Sequence, residues 1–163
     1  MGRRKVGPTM KFKDGDDYIA KLEHLGARME DILGQAIFPA AAVVTDEIQK
    51  EISTLRVSEN GEGGGLSAKQ RAGLHKGLGI AELRQDGKLL NVKIGWDGYN
   101  DVRTKRWPKG QPNQVIARSV ERGTSFMQAN PFVKRAVART RKVSQEKMQE
   151  VIDREIEKIM KKE

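Results

Sequence analysis

The chain has 163 residues, a formal net charge of +9 at pH 7 and a sequence pI near 9.9. It contains no cysteine, which excludes disulfides, thiolate metal sites and cysteine nucleophiles. With 37% hydrophobic and 5% aromatic residues it can form a modest, mainly aliphatic core. The positive charge favours contact with polyanions or acidic protein surfaces, although a merely basic protein fits it as well.

The first 13 residues form a basic segment without acids, and we expect a disordered arm ahead of a single α+β domain that spans residues 14–163. Arg3, Arg4 and Lys5 lie in this arm, where they could contact DNA phosphates, contact a neighbouring subunit or remain solvated. No apolar stretch follows as a secretory signal would require. No run approaches the roughly 18 apolar residues that cross a membrane.

Two apolar stripes at helical spacing follow the arm. The first includes Tyr18, Leu22, Leu25 and Met29, and the second extends from Ala40 to about Leu55. Pro39 stands between them, either at a kink or in the first turn of a new helix. Either arrangement predicts a long N-terminal helical arm.

Residues 58–76 include Gly-Glu-Gly-Gly-Gly, and we expect a long mobile loop there because such a sequence has few groups to bury. The loop lacks the Gly-x-x-x-x-Gly-Lys-Ser/Thr pattern of a phosphate cradle. His75 is predicted to be a loop residue and His24 a helix-surface residue, neither with a ligand set nearby in sequence.

Residues 80–96 show the alternation of a β-hairpin around Asp86-Gly87, a dipeptide that tolerates φ > 0 at both turn positions. Ala81 and Leu83 are expected on one face with Leu90, and Trp96 ends the second strand. One face of the hairpin should pack on helices, and the other should meet solvent or a partner.

Residues 97–113 read as an extended loop that interleaves aromatic and cationic side chains. The cations that could neutralise nucleic acid are Arg103, Lys105, Arg106 and Lys109. The alternative is a loop that contacts a neighbouring subunit, in which Trp107 packs against arginine stems. Asn113 could cap a short helix that ends at Gly123.

Residues 120–132, Val-Glu-Arg-Gly-Thr-Ser-Phe-Met-Gln-Ala-Asn-Pro-Phe, join this short helix to a long C-terminal one. Asn130 is a predicted N-cap and Pro131 suits the first helical position. Apolar positions from Val133 to Met160 then fit one helix, with a basic first half and mixed charges in the second. The fold prediction is therefore an α+β domain in which a β-hairpin or small antiparallel sheet packs against the helical arm and a long C-terminal helix.

The same residues resemble the signature of the head–tail joining, or tail-completion, family of long-tailed bacteriophages. In that family an apolar segment enters a Glu-x-Gly-Thr turn, and Pro-Phe-(Leu or Val)-x-x-Ala opens the last helix. The residues that match the two motifs are Val120, Glu121, Gly123, Thr124, Ser125, Pro131, Phe132, Val133 and Ala136.

The resemblance implies a virion structural protein of the phage neck, made in the host bacterial cytoplasm, that assembles into a ring, expected to be a hexamer. Its partners would be other copies of itself, the head connector or adaptor ring, the tail tube or tail terminator protein, and genomic DNA passing through the lumen. Lumen candidates are the cations of the arm and of the 97–113 loop. Ring-interface candidates are Glu121, Gly123, Thr124, Phe126, Met127, Pro131, Phe132, Trp96 and Trp107.

No pattern in the sequence supports catalysis, because both histidines are isolated and no paired carboxylates stand in a recognisable motif. We therefore expect no enzyme activity, no cofactor and no metal. The alternative to the neck protein is a basic nucleic-acid-binding module that uses the arm and the 97–113 loop. Steep salt dependence of DNA binding would distinguish this module from a ring protein.

Overall fold

The computed structural model describes residues 15–59 and 65–161. Over these residues the chain forms five helices and two short antiparallel strand pairs, which confirms the α+β prediction. The helices are α1 (Gly15–Ala27), α2 (Met29–Thr54), α3 (Ala68–Gly77), α4 (Asn113–Arg122) and α5 (Phe132–Lys161). The strands are β1 (Leu78–Ile80), β2 (Arg84–Asp86), β3 (Leu89–Asn91) and β4 (Ile94–Trp96).

The two long helices, α2 and α5, form the frame of the molecule and share its most extensive contact. They are antiparallel, because Glu51 near the end of α2 pairs with Arg135 near the start of α5, and the earlier Glu47 pairs with the later Arg139. Small or β-branched side chains such as Ala36 lie in the buried stripe and allow close approach of the helices. The predicted C-terminal helix is confirmed.

The helical arm is interrupted at Arg28 and not at Pro39, which lies inside α2. Arg28 has φ −101° and ψ 2°, and its amide is shared between the carbonyls of His24 and Leu25. The alternative in which Pro39 begins a new helix is therefore wrong. The prediction that His24 lies on a helix surface is confirmed, since it is exposed on α1.

The prediction of one long loop over residues 58–76 is wrong, because its second half is α3. Ser67 begins this helix with a capping box: its hydroxyl accepts from the Gln70 amide, and the Gln70 side chain accepts from the Ser67 amide. His75 accordingly lies in the last turn of α3 and not in a loop. The two reciprocal hydrogen bonds explain how a helix begins so soon after a run of glycines.

The predicted hairpin is present as two ladders of one antiparallel ribbon. Leu78–Ile80 pairs with Ile94–Trp96 and Arg84–Asp86 pairs with Leu89–Asn91, and the Ala81 amide donates to the Lys93 carbonyl between them. The turn lies one residue later than predicted, at Gly87 and Lys88, since Asp86 pairs with Leu89. Gly87 supplies the positive φ, at +62°.

The hydrophobic core cluster lies where the end of α2 and the start of α5 meet α3, α4 and the first ladder. Phe132 and Leu74 are fully buried at its centre. Other members are Ile48, Ile52, Leu55, Leu66, Ile116, Ala117, Val120 and Ala136. This cluster holds α4 and the chain after it in place, and that chain carries the motif residues.

Candidate subunit interface

Residues 123–127 form a tight turn, here called the Phe126 turn, immediately after α4. Gly123 ends the helix with φ +76°, and its amide donates to the Ser119 carbonyl. A Cβ at Gly123 would lie 2.7 Å from the Ala129 amide nitrogen, so both the conformation and the space require glycine. The prediction that the short helix ends at Gly123 is confirmed.

Thr124 fixes the conformation of the turn. Its Oγ1 accepts from the amides of Phe126 and Met127 at 3.2 and 3.1 Å, and its own amide donates to the Met127 carbonyl at 2.8 Å. Met127 points inward, half-buried against the core, whereas Phe126 is 87% exposed. The turn therefore presents a large aromatic ring to solvent on an ordered backbone.

Glu121 joins α4 to α5. Its carboxylate accepts hydrogen bonds from the amides of Val133 and Lys134, at 2.9 and 3.1 Å, in the first turn of α5. The prediction that Asn130 caps this helix is wrong, because a glutamate from the preceding helix accepts these bonds. The Asn130 amide instead donates to the Val120 carbonyl, which closes the loop between the helices.

A groove of about 280 Å³ lies between β4, α4 and the start of α5. Its apolar surface comes from Ile94, Trp96, Ala117 and Val133, and Arg118 and Arg122 stand beside it. Both arginines are exposed, and neither forms an ion pair with any residue the structure describes. We call this surface the arginine-rimmed groove. Gly95, Gln114 and Glu121 complete its lining.

Two aromatic candidates pack into the body of the protein, Phe132 completely and Trp96 in part. Phe132 is fully buried, so the prediction that it contacts a neighbouring subunit is wrong. Trp96 packs edge-on against it, with ring centroids 5.8 Å apart, and donates its indole hydrogen to the Leu74 carbonyl at 2.9 Å. Trp96 is only half-buried, and its remaining surface lines the groove.

Residues 97–112, here called the basic loop, are stabilised by hydrogen bonds between residues of the loop itself. Asn100 is buried. Its backbone amide donates to the Gln111 carbonyl, and its side-chain Oδ1 accepts from the Val102 backbone amide. Gly110, with φ +111°, lies so close to Asn100 that an added Cβ would be 2.1 Å from the Asn100 backbone carbonyl oxygen. Asn113 begins α4 but does not cap it; its side chain donates to the Asp97 carbonyl.

The four predicted cations of the basic loop are exposed, and none forms an ion pair with a described residue. Arg106 stands over the ring of half-buried Trp107, 5.5 Å from its centroid. A turn between Thr104 and Trp107 shapes the tip, with each backbone amide donating to the other residue's carbonyl. The cations are Arg103, Lys105, Arg106 and Lys109.

His75 lies away from both surfaces, between α2 and α3. Its Nδ1 is 2.5 Å from the Gln49 Oε1, and its Nε2 is 3.5 Å from the Ser53 hydroxyl, which itself donates to the Gln49 carbonyl. Burial, with the nearby Arg71 guanidinium, lowers the pKa of His75. These contacts hold α3 against α2. Among residues 15–59 and 65–161 no group of three His, Asp or Glu side chains could hold a metal ion.

The remaining candidates are distributed as follows. Pro131 is exposed just before α5, and the arm residues Arg3, Arg4 and Lys5 lie outside the described residues. The structure brings Gly123, Thr124, Phe126 and Met127 together in one turn and places Trp96 and Glu121 in one groove. Arg118 and Arg122 were not among the predicted interface residues, although their spacing of four residues on a helix was a signal in the sequence.

Comparison with protein families, curated proteins and solved structures found no match for this chain. Within the part of the chain that the structure describes, no helix is long and apolar enough to cross a membrane.

Proposed function

We propose that the chain is a structural protein of the bacteriophage neck, a head–tail joining or tail-completion subunit that forms a ring between the head connector and the tail. The observation that carries the proposal is the Phe126 turn. The residues that resemble the family's Glu-x-Gly-Thr motif lead into this turn. The turn carries Phe126, whose side chain is 87% exposed. Aromatic side chains are enriched at protein–protein interfaces, and a hydrogen-bonded backbone beneath one lowers the entropy cost of forming a contact.

The hydrogen bonds of the motif support a role in assembly more than one in chemistry. Glu121 caps α5, Gly123 turns the chain and Thr124 fixes the turn, so each of these residues is used to shape a surface. Copies of the chain would associate through such surfaces into a ring, with a hexamer expected. The ring would contact the connector or adaptor on one side and the tail tube or terminator on the other, and would let DNA pass within the virion.

Mass measured by light scattering tests this proposal. The protein is measured across a concentration series, alone and then with purified connector or tail-tube components of the same phage. A closed ring, or recruitment onto the connector, is the expected result, and Phe126→Ala should weaken it. Tyr99→Ala is the matched control, because Tyr99 is also an exposed aromatic, at 62%, but stands in the basic loop. A strict monomer that ignores these components would overturn the proposal.

A nucleic-acid-binding module is the second candidate, and the basic loop favours it. Four cations exposed without ion-pair partners among the described residues can neutralise phosphates, and Trp107 beside Arg106 can stack on bases. The salt dependence of DNA affinity separates the two candidates. A dedicated DNA binder should lose affinity steeply as salt rises, whereas a ring subunit should bind DNA weakly and form defined oligomers.

A further inference from the structure

The arginine-rimmed groove has the chemistry of a site for an aromatic side chain. Its wall consists of aliphatic groups and the Trp96 ring, which favour an apolar occupant. Arg118 and Arg122, unpaired among the described residues, are complementary in charge to the negative face of an aromatic ring. The groove has a volume of about 280 Å³ and is open to solvent on one side, so a phenyl ring can enter it.

Glu121 forms no ion pair with either arginine, and its carboxylate accepts two hydrogen bonds from the first turn of α5. An acidic occupant would fit the guanidinium groups but not the apolar wall. An aliphatic occupant would fit the wall but leave the guanidinium groups without an electrostatic partner. An aromatic ring meets both requirements at once.

Phe126 is the most exposed aromatic side chain among the described residues, at 87%. Its turn is fixed by the Thr124 hydrogen bonds, so the backbone loses little conformational entropy on docking. Phe126 lines a different cleft, beside the start of α3, and that cleft shares no lining residue with the groove. The ring and the groove are therefore separate surfaces of one chain.

We propose that Phe126 of one copy inserts into the arginine-rimmed groove of the next copy, packing against Trp96 and Val133 with Arg118 and Arg122 around its ring. This inference rests on the proposed ring and names the contact that builds it. The two surfaces differ, so the contact is head-to-tail and repeats from copy to copy, which generates a closed ring when the rotation closes.

Disulfide trapping tests the contact cleanly, because the chain has no cysteine of its own. Tagged Ser125→Cys protein, which places a thiol beside Phe126, is mixed with untagged Gln114→Cys protein, which places one in the groove. Oxidation should join the two variants more efficiently than it joins either variant to itself. Adding Phe126→Ala to the first variant should lower the yield at least about tenfold, as expected for removal of a central aromatic contact.

Tyr99→Cys replaces Ser125→Cys in the control mixture, because it puts a thiol at another exposed position, in the basic loop. Equal yields from the two mixtures, preferential pairing of Ser125→Cys with itself, or a protein that stays monomeric at every concentration both alone and with connector components would each overturn the inference. Closed rings without the mixed disulfide would overturn this contact alone. The mixed disulfide in open chains that connector components never recruit would support the contact and count against the neck function.

Discussion

Glu121 shows how one side chain can set the geometry of a whole surface. The first amides of a helix have no partner within it, and the positive end of the helix dipole favours an anion there. A carboxylate from the preceding helix meets both needs, since it accepts from two amides of α5 and fixes the angle at which α5 leaves α4. The same residue belongs to the motif and lines the groove. Its capping of α5 therefore shapes the groove whether or not Glu121 itself contacts a partner.

Replacing Glu121 by alanine should lower the free energy of unfolding by about 0.5 to 2 kcal/mol, the range measured for lost helix caps. Urea unfolding followed by circular dichroism measures the change. Glu146→Ala is the control, because Glu146 is an exposed carboxylate in the middle of α5 and its loss should change stability by less than about 0.5 kcal/mol. Equal effects of the two substitutions would show that the cap contributes nothing.

His75 makes stability depend on pH in a direction that its contacts determine. Burial and Arg71 lower its pKa in the folded protein, so the unfolded chain binds the proton more readily. Its contribution to stability is therefore present above the unfolded pKa of about 6.5 and is lost as pH falls through that value towards the folded one.

The difference in unfolding free energy between pH 7.5 and pH 5.5 should accordingly shrink in His75→Gln. Urea titrations at the two pH values measure this difference for the wild-type protein and the variant. His24→Gln, which removes the exposed histidine of α1, controls for loss of a histidine as such. A pH dependence left unchanged by His75→Gln would contradict the assignment.

At the scale of elements, the α2–α5 pair is held by a buried carboxylate as well as by apolar contact. Glu51 is 4% exposed, and Arg135 approaches its Oε2 to 2.8 Å while Arg139 bonds to its other oxygen. The two arginines reach across from partly exposed positions on α5, so they satisfy the acid while their own charges stay near water. The geometry fixes the register of the antiparallel helices.

Glu51→Gln should destabilise the protein by about 1 to 3 kcal/mol, because buried hydrogen bonds lose their charged acceptor. Glu47→Gln is the matched control. Glu47 meets Arg139 at 3.5 Å from a more exposed position, so its loss should cost less than about 1 kcal/mol. Chemical denaturation of both variants measures the two values. The prediction fails where Glu47→Gln proves the more damaging of the two.

The elements that the sequence predicted are those with long local patterns. The hairpin follows from alternation around Asp86-Gly87, and α5 follows from one apolar stripe. Helix α3 was missed because the glycine run before it dominated the composition, although Ser67 and Gln70 carry the capping-box signature. The Glu121 cap and the burial of Phe132 depend on tertiary contacts, which no local pattern contains. The groove was unpredictable for the same reason.

At the scale of the whole molecule, the surfaces with a proposed function lie on segments next to the hydrophobic core cluster. Helix α1 has an apolar face that is exposed. Tyr18, Ile19 and Leu22 form that face, each between 44% and 55% exposed. The cations of the molecule also fall into two groups, those without ion pairs and those that are paired. The basic loop has cations without ion-pair partners among the described residues, whereas many cations of α5 are paired within their own helix. Net charge alone therefore does not say where a polyanion would bind.

Neutralising the basic loop separates local charge from net charge. Alanine at all four loop cations and alanine at four ion-paired cations of α5 lower the net charge equally, by four. The loop set is Arg103, Lys105, Arg106 and Lys109. The control set is Lys147, Arg154, Lys158 and Lys161.

Binding to a short DNA duplex across a salt series should show a log–log slope that becomes shallower by about 3 to 4 in the loop variant, because each lost phosphate contact removes about 0.9. The α5 variant should keep nearly the wild-type slope, because the cations that it lacks form ion pairs with carboxylates of the same helix in the wild-type protein. Equal slopes in the two variants would mean that DNA affinity depends only on the net charge of the protein, and the nucleic-acid-binding candidate would then lose the basic loop as its binding surface.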